Sequence, residues 1–512
     1  MPTEPNNSYD SLPYGSLPHE DSHPRWLATV AALFGLSAPP PNGARILELG
    51  CASGGNLIPI AESLPKSACL GIDLSSRQVE SGQELIQATG LKNIALKQAS
   101  ILDFGESEGQ FDYIICHGVY SWVAPDIQQR ILEICGSKLT PNGVAYVSYN
   151  IYPGWHIQGM LRGMMKFHAG RSDGPAEQVA QSRALLELLA KTVPSEGSPY
   201  GLFLERENER LRHSADWYIY HDHLEETNDP VYFHEFVRRA SLAGLQFLGE
   251  SEVRSMLPGH FSPKIQLALR ALSTNLIQAE QYMDFFRNRA FRETILCRRG
   301  VALNRRLDAQ RVRSLSFATA LRPHSAHSDL RQPEALRFTG PGWPGVDVSD
   351  PIGKATLLCL RDAWPRALTL DTLESQVRTR LALGAGTEQS RSDLTETLWR
   401  WFLQGAVSMT ASPAIAVTQA GERPLGSAFA RAQARAGQTT LTNLLHRSVK
   451  LNAFDAIVLT LLDGSRSRAT VAAQMAQHVA QGSEVSHASL DALALRVDAA
   501  LAVLAEAALL RE

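Results

Sequence analysis

Residues 48–56 read ELGCASGGN: a carboxylate, a glycine two residues on, and two further glycines at 54 and 55. Glycines in such a run allow a tight turn and let a ligand lie against bare backbone. A second carboxylate, Asp73, ends the run ACLGID (68–73). A carboxylate at the end of a second strand can accept hydrogen bonds from both hydroxyls of a ribose. The spacing Glu48-x-Gly50-x-x-x-Gly54 lacks the middle glycine of the GxGxxG dinucleotide fingerprint, and no Gly-Lys-Ser/Thr follows to make a triphosphate loop. The run QASILD (98–103) follows at a conventional distance. Turn, Asp73 and ASILD together are far more specific than a glycine turn alone.

The elements that would hold these residues are legible on either side of them. RILELG (45–50), ACLGID, NIALKQ (93–98), FDYIICH (111–117) and GVAYVSY (143–149) read as strands. They are apolar almost throughout, as parallel strands covered on both faces must be. Amphipathic stretches lie between them, such as the one from the cap-like Ser75 to the stop at Gly90. This alternation predicts an α/β, doubly wound, Rossmann-like core: an open parallel sheet with helices on both faces. A sixth strand after Gly244 and a seventh at RETILCRR (292–299) extend that core over 1–300, with 157–230 as a helical insertion. Residues 301–420 read as a middle α+β domain. Its helix patterns at 352–363, 370–381 and 392–404, followed by AVSMT, suggest a winged-helix-like module. GERPLGSAFARAQARAGQ reads as a linker or exposed helix, and 421–512 as a C-terminal helical domain.

The glycine turn, Asp73 and ASILD resemble the class I methyltransferases that use S-adenosylmethionine. The resemblance implies that Glu48, Gly50, Cys51, Ala52 and Asn56 cradle the methionine half of the cofactor. It implies that Asp73 with Leu74 holds the ribose, and that Ser100 with Ile101 clips the adenine. Ala52-Ser53 departs from the more usual Gly-Asp or Gly-Thr, and Ser100 stands where an Asp is usual. A serine oxygen can still accept from the adenine amine. A narrower resemblance rests on YDSLPYGSLP near the start, HGVYSWVAPD (117–126), PNGVAYVSYNIYPGW (141–155) and QYMDFFRNRAFRETILCRR (281–299). These are similar to bacterial methyltransferases carrying a methyltransferase regulatory domain, among them rickettsial protein-lysine methyltransferases. That resemblance implies a core, a middle domain involved in dimerisation, and a C-terminal domain. It makes the N-terminal run a flap over the cofactor, with Tyr9 and Tyr14 as candidates.

HGVYSWV follows the fourth strand and NIYPGW the fifth, on either side of the crevice where an open α/β sheet binds ligands. Tyr120, Trp122, Tyr149, Tyr152 and Trp155 are the candidates for the acceptor pocket, with simple packing as the alternative. Tyr120 and Trp122 share a side if their loop is extended. Methyl transfer to a lysine needs a neutral amine. Neutralising one at pH 7 costs about 4–5 kcal/mol from a pKa near 10.4. An aromatic pocket lowers that pKa by desolvation and also attracts the ammonium. His117 ends a buried strand and joins the cofactor-side list, where a structural role suits it better than that of a general base. The expected chemistry is in-line methyl transfer to a protein lysine. A small-molecule N- or O-acceptor, or a catalytically degenerate scaffold, is the alternative.

Composition bounds the rest. A chain of 512 residues holds two to four domains. With 44% hydrophobic and 20% charged residues, it is neither disordered nor collagen-like. A net charge of -3 predicts no nucleic-acid partner. The helix SRSDLTETLWRWFLQ (390–404) carries Asp393 and Glu396 beside its arginines, and its apolar face suits packing or a homodimer rather than a DNA groove. The basic run FRNRAFRETILCRRG (286–300) reads as an acidic-partner surface or a solvated face. Six cysteines lack ligand spacing, so no metal is expected and the thiols read as free in a reducing cytoplasm. No secretory signal or membrane-inserting segment is evident.

Overall fold

The computed structural model describes residues 12, 14–170, 172, 174–325, 329–340, 343–481 and 490–512. Tyr9 lies outside the described residues. Seven strands form the central sheet: β1 (Arg45–Leu49), β2 (Ala68–Asp73), β3 (Ile94–Gln98), β4 (Phe111–Cys116), β5 (Leu139–Asn150), β6 (Leu245–Glu250) and β7 (Phe291–Arg298). Their order is β3-β2-β1-β4-β5-β7-β6. The pairs from β3 through β5 are parallel, while β7 runs antiparallel to both β5 and β6. Strand order reverses at β1, between β2 and β4, and the crevice beyond the carboxyl ends of these strands is where such a sheet takes its ligand.

The helix Ser76–Thr89 begins and ends where the residues dictate. Ser75 Oγ accepts from the Gln78 N–H at 3.1 Å, and Gly90 adopts a left-handed φ of 73°. The chain leaves β5 at Asn150 and returns at Val231, with Ile151 and Val231 bridged in parallel. The helices Gly154–Ala169, Pro175–Thr192 and Pro199–Arg212 lie between. They carry a small core of their own around Leu161, Met165, Leu186 and Leu204.

Beyond residue 300, the strands Ser316–Ala318, Leu368–Thr369 and Ser408–Thr410 form a small sheet beside the helices Pro351–Ala363, Leu370–Arg380 and Glu388–Gln404. The apolar face of that last helix, read from sequence as a packing or dimer surface, is packed within the chain. Trp399, Trp401 and Phe402 are buried, and Phe402 meets Trp26 at 6.3 Å between ring centroids. The tract read as a linker is also corrected. Ser427 caps the helix Ala428–Arg435, in which Phe429 and Ala430 are fully buried. The C-terminal unit adds the helices Ala453–Leu461, Arg468–Gln481 and Leu490–Glu506, and a hairpin pairing Thr440–Thr442 with Ser448–Lys450, which the helical reading missed. Among the described residues no helix is long and apolar enough to cross a membrane.

Candidate active site

A cavity of about 630 Å³ opens at the carboxyl ends of β1, β2, β4 and β5. Most sequence-predicted residues line it: Tyr14, Glu48, Gly50, Cys51, Ala52, Asn56, Asp73, Leu74, Ser100, Ile101, His117, Trp122 and Trp155.

The glycine loop is built by close approaches. Gly50 and Cys51 donate to the Ile72 carbonyl at 2.9 and 3.0 Å, locking the turn to β2. A Cβ on Gly50 would stand 2.4 Å from the Val119 side chain, and one on Gly55 2.3 Å from the Ser16 carbonyl. Ala52, the departure noted in the motif, takes the glycine-like φ of 45°. Its N–H is held by Asp73 Oδ2 at 2.8 Å, which helps offset a left-handed conformation costing roughly 1–2 kcal/mol. Asp73 Oδ1 accepts from the Ser75 N–H at 2.9 Å, so this carboxylate also shapes both loops around it.

Glu48 is buried. Its Oε1 accepts from Asn56 Nδ2 at 2.7 Å, and its Oε2 has no hydrogen-bond partner among the described residues. Burial pushes its carboxyl up to about 8, with the Asn56 amide opposing the rise. A buried carboxylate oxygen left open to a cavity is what a bound ammonium would satisfy, so the residues present fit the α-amino end of S-adenosylmethionine. Asn56 itself is a hub: its amide is shared among Glu48, Ser22, His446 and the His19 N–H. Ser100 Oγ accepts from the Leu102 N–H at 3.2 Å and retains a further lone pair and its own proton.

The N-terminal segment crosses the opening. Ser16 Oγ accepts from the Gly55 N–H at 2.7 Å, Gln78 Nε2 donates to the Tyr14 carbonyl at 3.2 Å, and His19 stacks on His117 at 3.5 Å. His117 Nδ1 lies 2.8 Å from Tyr146 Oη, which donates to Glu293 at 2.6 Å, so His117 donates to the tyrosine. Burial holds its pKa well below the usual value. It is a neutral, committed histidine.

The acceptor candidates divide. Trp122 and Trp155 meet edge to face at 6.2 Å in the cavity wall, and Trp155 Nε1 donates to Asn228. Tyr120, Tyr149 and Tyr152 are not in that wall. Residues 120–122 form one 3-10 turn rather than an extended loop, which sends Tyr120 inward against Tyr149 (5.9 Å) and Phe236 (5.2 Å). Tyr149 stacks on Phe236 at 3.9 Å and bonds Thr294 at 2.9 Å. Tyr152 stacks on His156 at 4.0 Å outside the cavity.

The insertion supplies wall residues that sequence reasoning missed: Tyr218, His221 and Asp222. Residues 220–224 form a π-turn, a local irregularity frequent at functional sites. His221 Nε2 donates to the Leu12 carbonyl at 2.6 Å. Burial pushes Asp222 up to about 6 against the opposing Tyr218 hydroxyl and Arg210. The signal was present in DWYIYHDHLE (216–225), a run of aromatic, histidine and acidic residues within the helical insertion. Among the described residues no group of three such ligands is disposed to hold a metal, and all six cysteines are free and buried.

Three family models match the chain: a methyltransferase domain over 47–145, the "Predicted methyltransferase regulatory domain" over 215–298, and the PKMT C-terminal winged helix domain over 422–509. The matched winged helix falls in the C-terminal unit, in addition to the three helices and small sheet of residues 316–410. The uncharacterised protein RP789 of Rickettsia prowazekii (strain Madrid E) is 33% identical over 488 residues, covering 93% of this chain and 87% of that protein. The structure of PKMT2 from Rickettsia typhi in complex with AdoHcy superposes with a TM-score of 0.87 at 30% identity, over 97% of this chain and 100% of that one. Glycine loop, the acid ending β2, seven-stranded sheet and similarity over 93% of the chain agree: the chain is an S-adenosylmethionine-dependent methyltransferase and belongs to the regulatory-domain family that includes the rickettsial PKMT proteins.

Proposed function

We propose that the protein transfers methyl groups to the side-chain amines of protein lysines. The observation that carries this is the placing of a carboxylate, Asp222, in the same aromatic-walled cavity as the cofactor loop, beside Tyr14, Trp122, Trp155 and Tyr218. An ionised carboxylate among rings receives a cation, and rings alone add about 0.5–1 kcal/mol for each exposed contact. The cofactor supplies an electrophilic methyl on a sulfonium. On the protein side, Glu48, Gly50, Asp73, Ser100 and Ile101 hold it, while Asn56 orients Glu48. Asp222 accepts the lysine ammonium and takes its proton as the nitrogen approaches, and Trp122 and Trp155 exclude water and lower the amine pKa. The relatives' PKMT names point the same way.

The test is incubation with methyl-labelled cofactor and an unfolded lysine-rich protein, followed by hydrolysis and identification of methyl-lysine. Label confined to small molecules or to base-labile esters overturns the reading. Asp222→Asn should leave cofactor affinity within a few-fold and cut turnover by at least about tenfold, or 1.4 kcal/mol in the barrier. Wild-type turnover should fall as pH drops through about 6, where Asp222 protonates, and the variant should lack that limb. A homodimer and a cytoplasmic place are proposed on the resemblance alone. Light scattering that gives a monomer at micromolar concentration counts against the first.

A further inference from the structure

The hairpin of the C-terminal unit turns its tip inward. Between Thr440–Thr442 and Ser448–Lys450, the turn is shaped by Asn443, whose Oδ1 accepts from the Leu445 and Arg447 N–H groups at 3.0 and 2.9 Å. His446 sits there with a left-handed φ of 65° and is buried. Its Nε2 lies 2.7 Å from Asn56 Oδ1, and Asn56 Nδ2 lies 2.7 Å from Glu48 Oε1. The His19 backbone N–H can only donate and meets the Asn56 oxygen at 2.9 Å, so the Asn56 nitrogen must face Glu48. The Asn56 oxygen then faces His446, which must carry its proton on Nε2. The neighbours of His446 grip the N-terminal segment: the Leu444 carbonyl accepts from Arg25 at 3.3 Å, and Arg447 meets Glu20 at 2.7 and 2.5 Å.

A second tie acts on the same element. The helix Leu57–Ser63 starts directly after Asn56 and has no side-chain cap of its own. Its Glu62, fully buried, accepts from Ser427 Oγ, the Ala428 N–H and the Phe429 N–H at 2.8, 2.5 and 3.1 Å, closing the start of the helix Ala428–Arg435. The short helix that presents the cofactor loop is therefore held at both ends by the C-terminal unit.

We infer that the hairpin 440–450 of the C-terminal unit is an intramolecular clamp on the cofactor loop, with His446 a positioning residue that fixes Asn56 and, through it, the Glu48 carboxyl group. The inference rests on the reading of Glu48 as a cofactor ligand. Binding of S-adenosylhomocysteine should be measured by calorimetry for Glu48→Gln, His446→Leu, His446→Gln and Val458→Ala. Glu48→Gln with unchanged affinity overturns the proposal at its base. With Glu48→Gln weakened, His446→Leu should raise Kd about tenfold, because the Asn56 oxygen loses the shortest of its donors. His446→Gln, which restores an N–H at similar reach, should recover most of that loss. Val458→Ala, which loosens a core of the same unit that does not include the hairpin tip 443–447, should leave Kd within about twofold where it is folded. A folded His446→Leu variant with wild-type Kd overturns the clamp. Coupling is reciprocal, so in the unmodified protein S-adenosylhomocysteine should slow amide exchange at 443–447. This second measurement decides the matter if His446→Leu does not fold: slowed exchange upholds the clamp, and protection of the loop 50–56 with no change at 443–447 overturns it.

Discussion

Tyr120 and Trp122 leave one short turn in different directions, and substitutions at the two should fail in different ways. Trp122 faces the cavity and Trp155, so Trp122→Ala should keep cofactor affinity within a few-fold while lowering acceptor turnover by about tenfold, the scale of a desolvated cation contact. Tyr120 is fully buried against Tyr149 and Phe236, so Tyr120→Ala should cost about 3–5 kcal/mol of stability, read by urea unfolding. Equal stability losses in the two variants would erase the distinction. The residues of the glycine-loop wall were legible because glycine, acid and strand end form a local pattern at fixed spacing. The rest of the wall was legible only in part: Trp122 and Trp155 could be named beforehand, Tyr218 and Asp222 could not. Two rings two residues apart share a side in extended chain and part company in a 3-10 turn, and composition does not separate these states. Asp222 reaches the cavity from an insertion about 150 residues beyond Asp73 in sequence, a distance over which no local pattern speaks.

Among the elements, β7 shows how a sequence pattern can be right about the backbone and silent about the side chain. RETILCRR was read as a strand, and β7 is one. Its basic run, however, was read as an exposed face, whereas Arg292 is fully buried, paired with Glu250 (2.7 Å), Glu280 (3.0 Å) and Asp284 (2.9 Å). It also lies 3.8 Å over the Phe233 ring. An inward arginine and a solvated one look alike until the partners from β6 and from the helix Leu276–Arg287 are in place. Three acids share this cation, and burial pushes Glu280 up to about 7 against the pull of Arg292. A carboxyl whose folded pKa lies above its unfolded value of about 4.5 stabilises the fold most below that value. That stability is lost as pH rises through about 7. Glu280→Gln should therefore flatten the decline in unfolding free energy between pH 5.5 and 8.5, removing up to about 2 kcal/mol of it. An identical slope in the variant would mean that Glu280 is ionised throughout this range.

For the whole molecule, the decisive feature is a core that ignores the change of texture at residue 300. Leu27, Phe34 and Phe247 belong to one continuous apolar cluster with Phe317, Phe338, Leu357 and Trp399, whereas Val458, Leu459 and Leu504 form a separate one in the C-terminal unit. The sequence shows that the helix Glu388–Gln404 has an apolar face but not what covers it, since a second copy and the chain's own Trp26 would be met by the same residues. A shared core should make the first two sequence-defined units unfold as a single cooperative body. Phe317 is fully buried beyond the expected boundary, and Phe317→Ala should cost about 3–5 kcal/mol. In calorimetry, that loss should lower the temperature at which the cofactor site itself unfolds, with S-adenosylhomocysteine binding disappearing in the same transition. An independent middle domain would behave otherwise: its own transition would move down, and the cofactor site would go on binding above it with wild-type affinity.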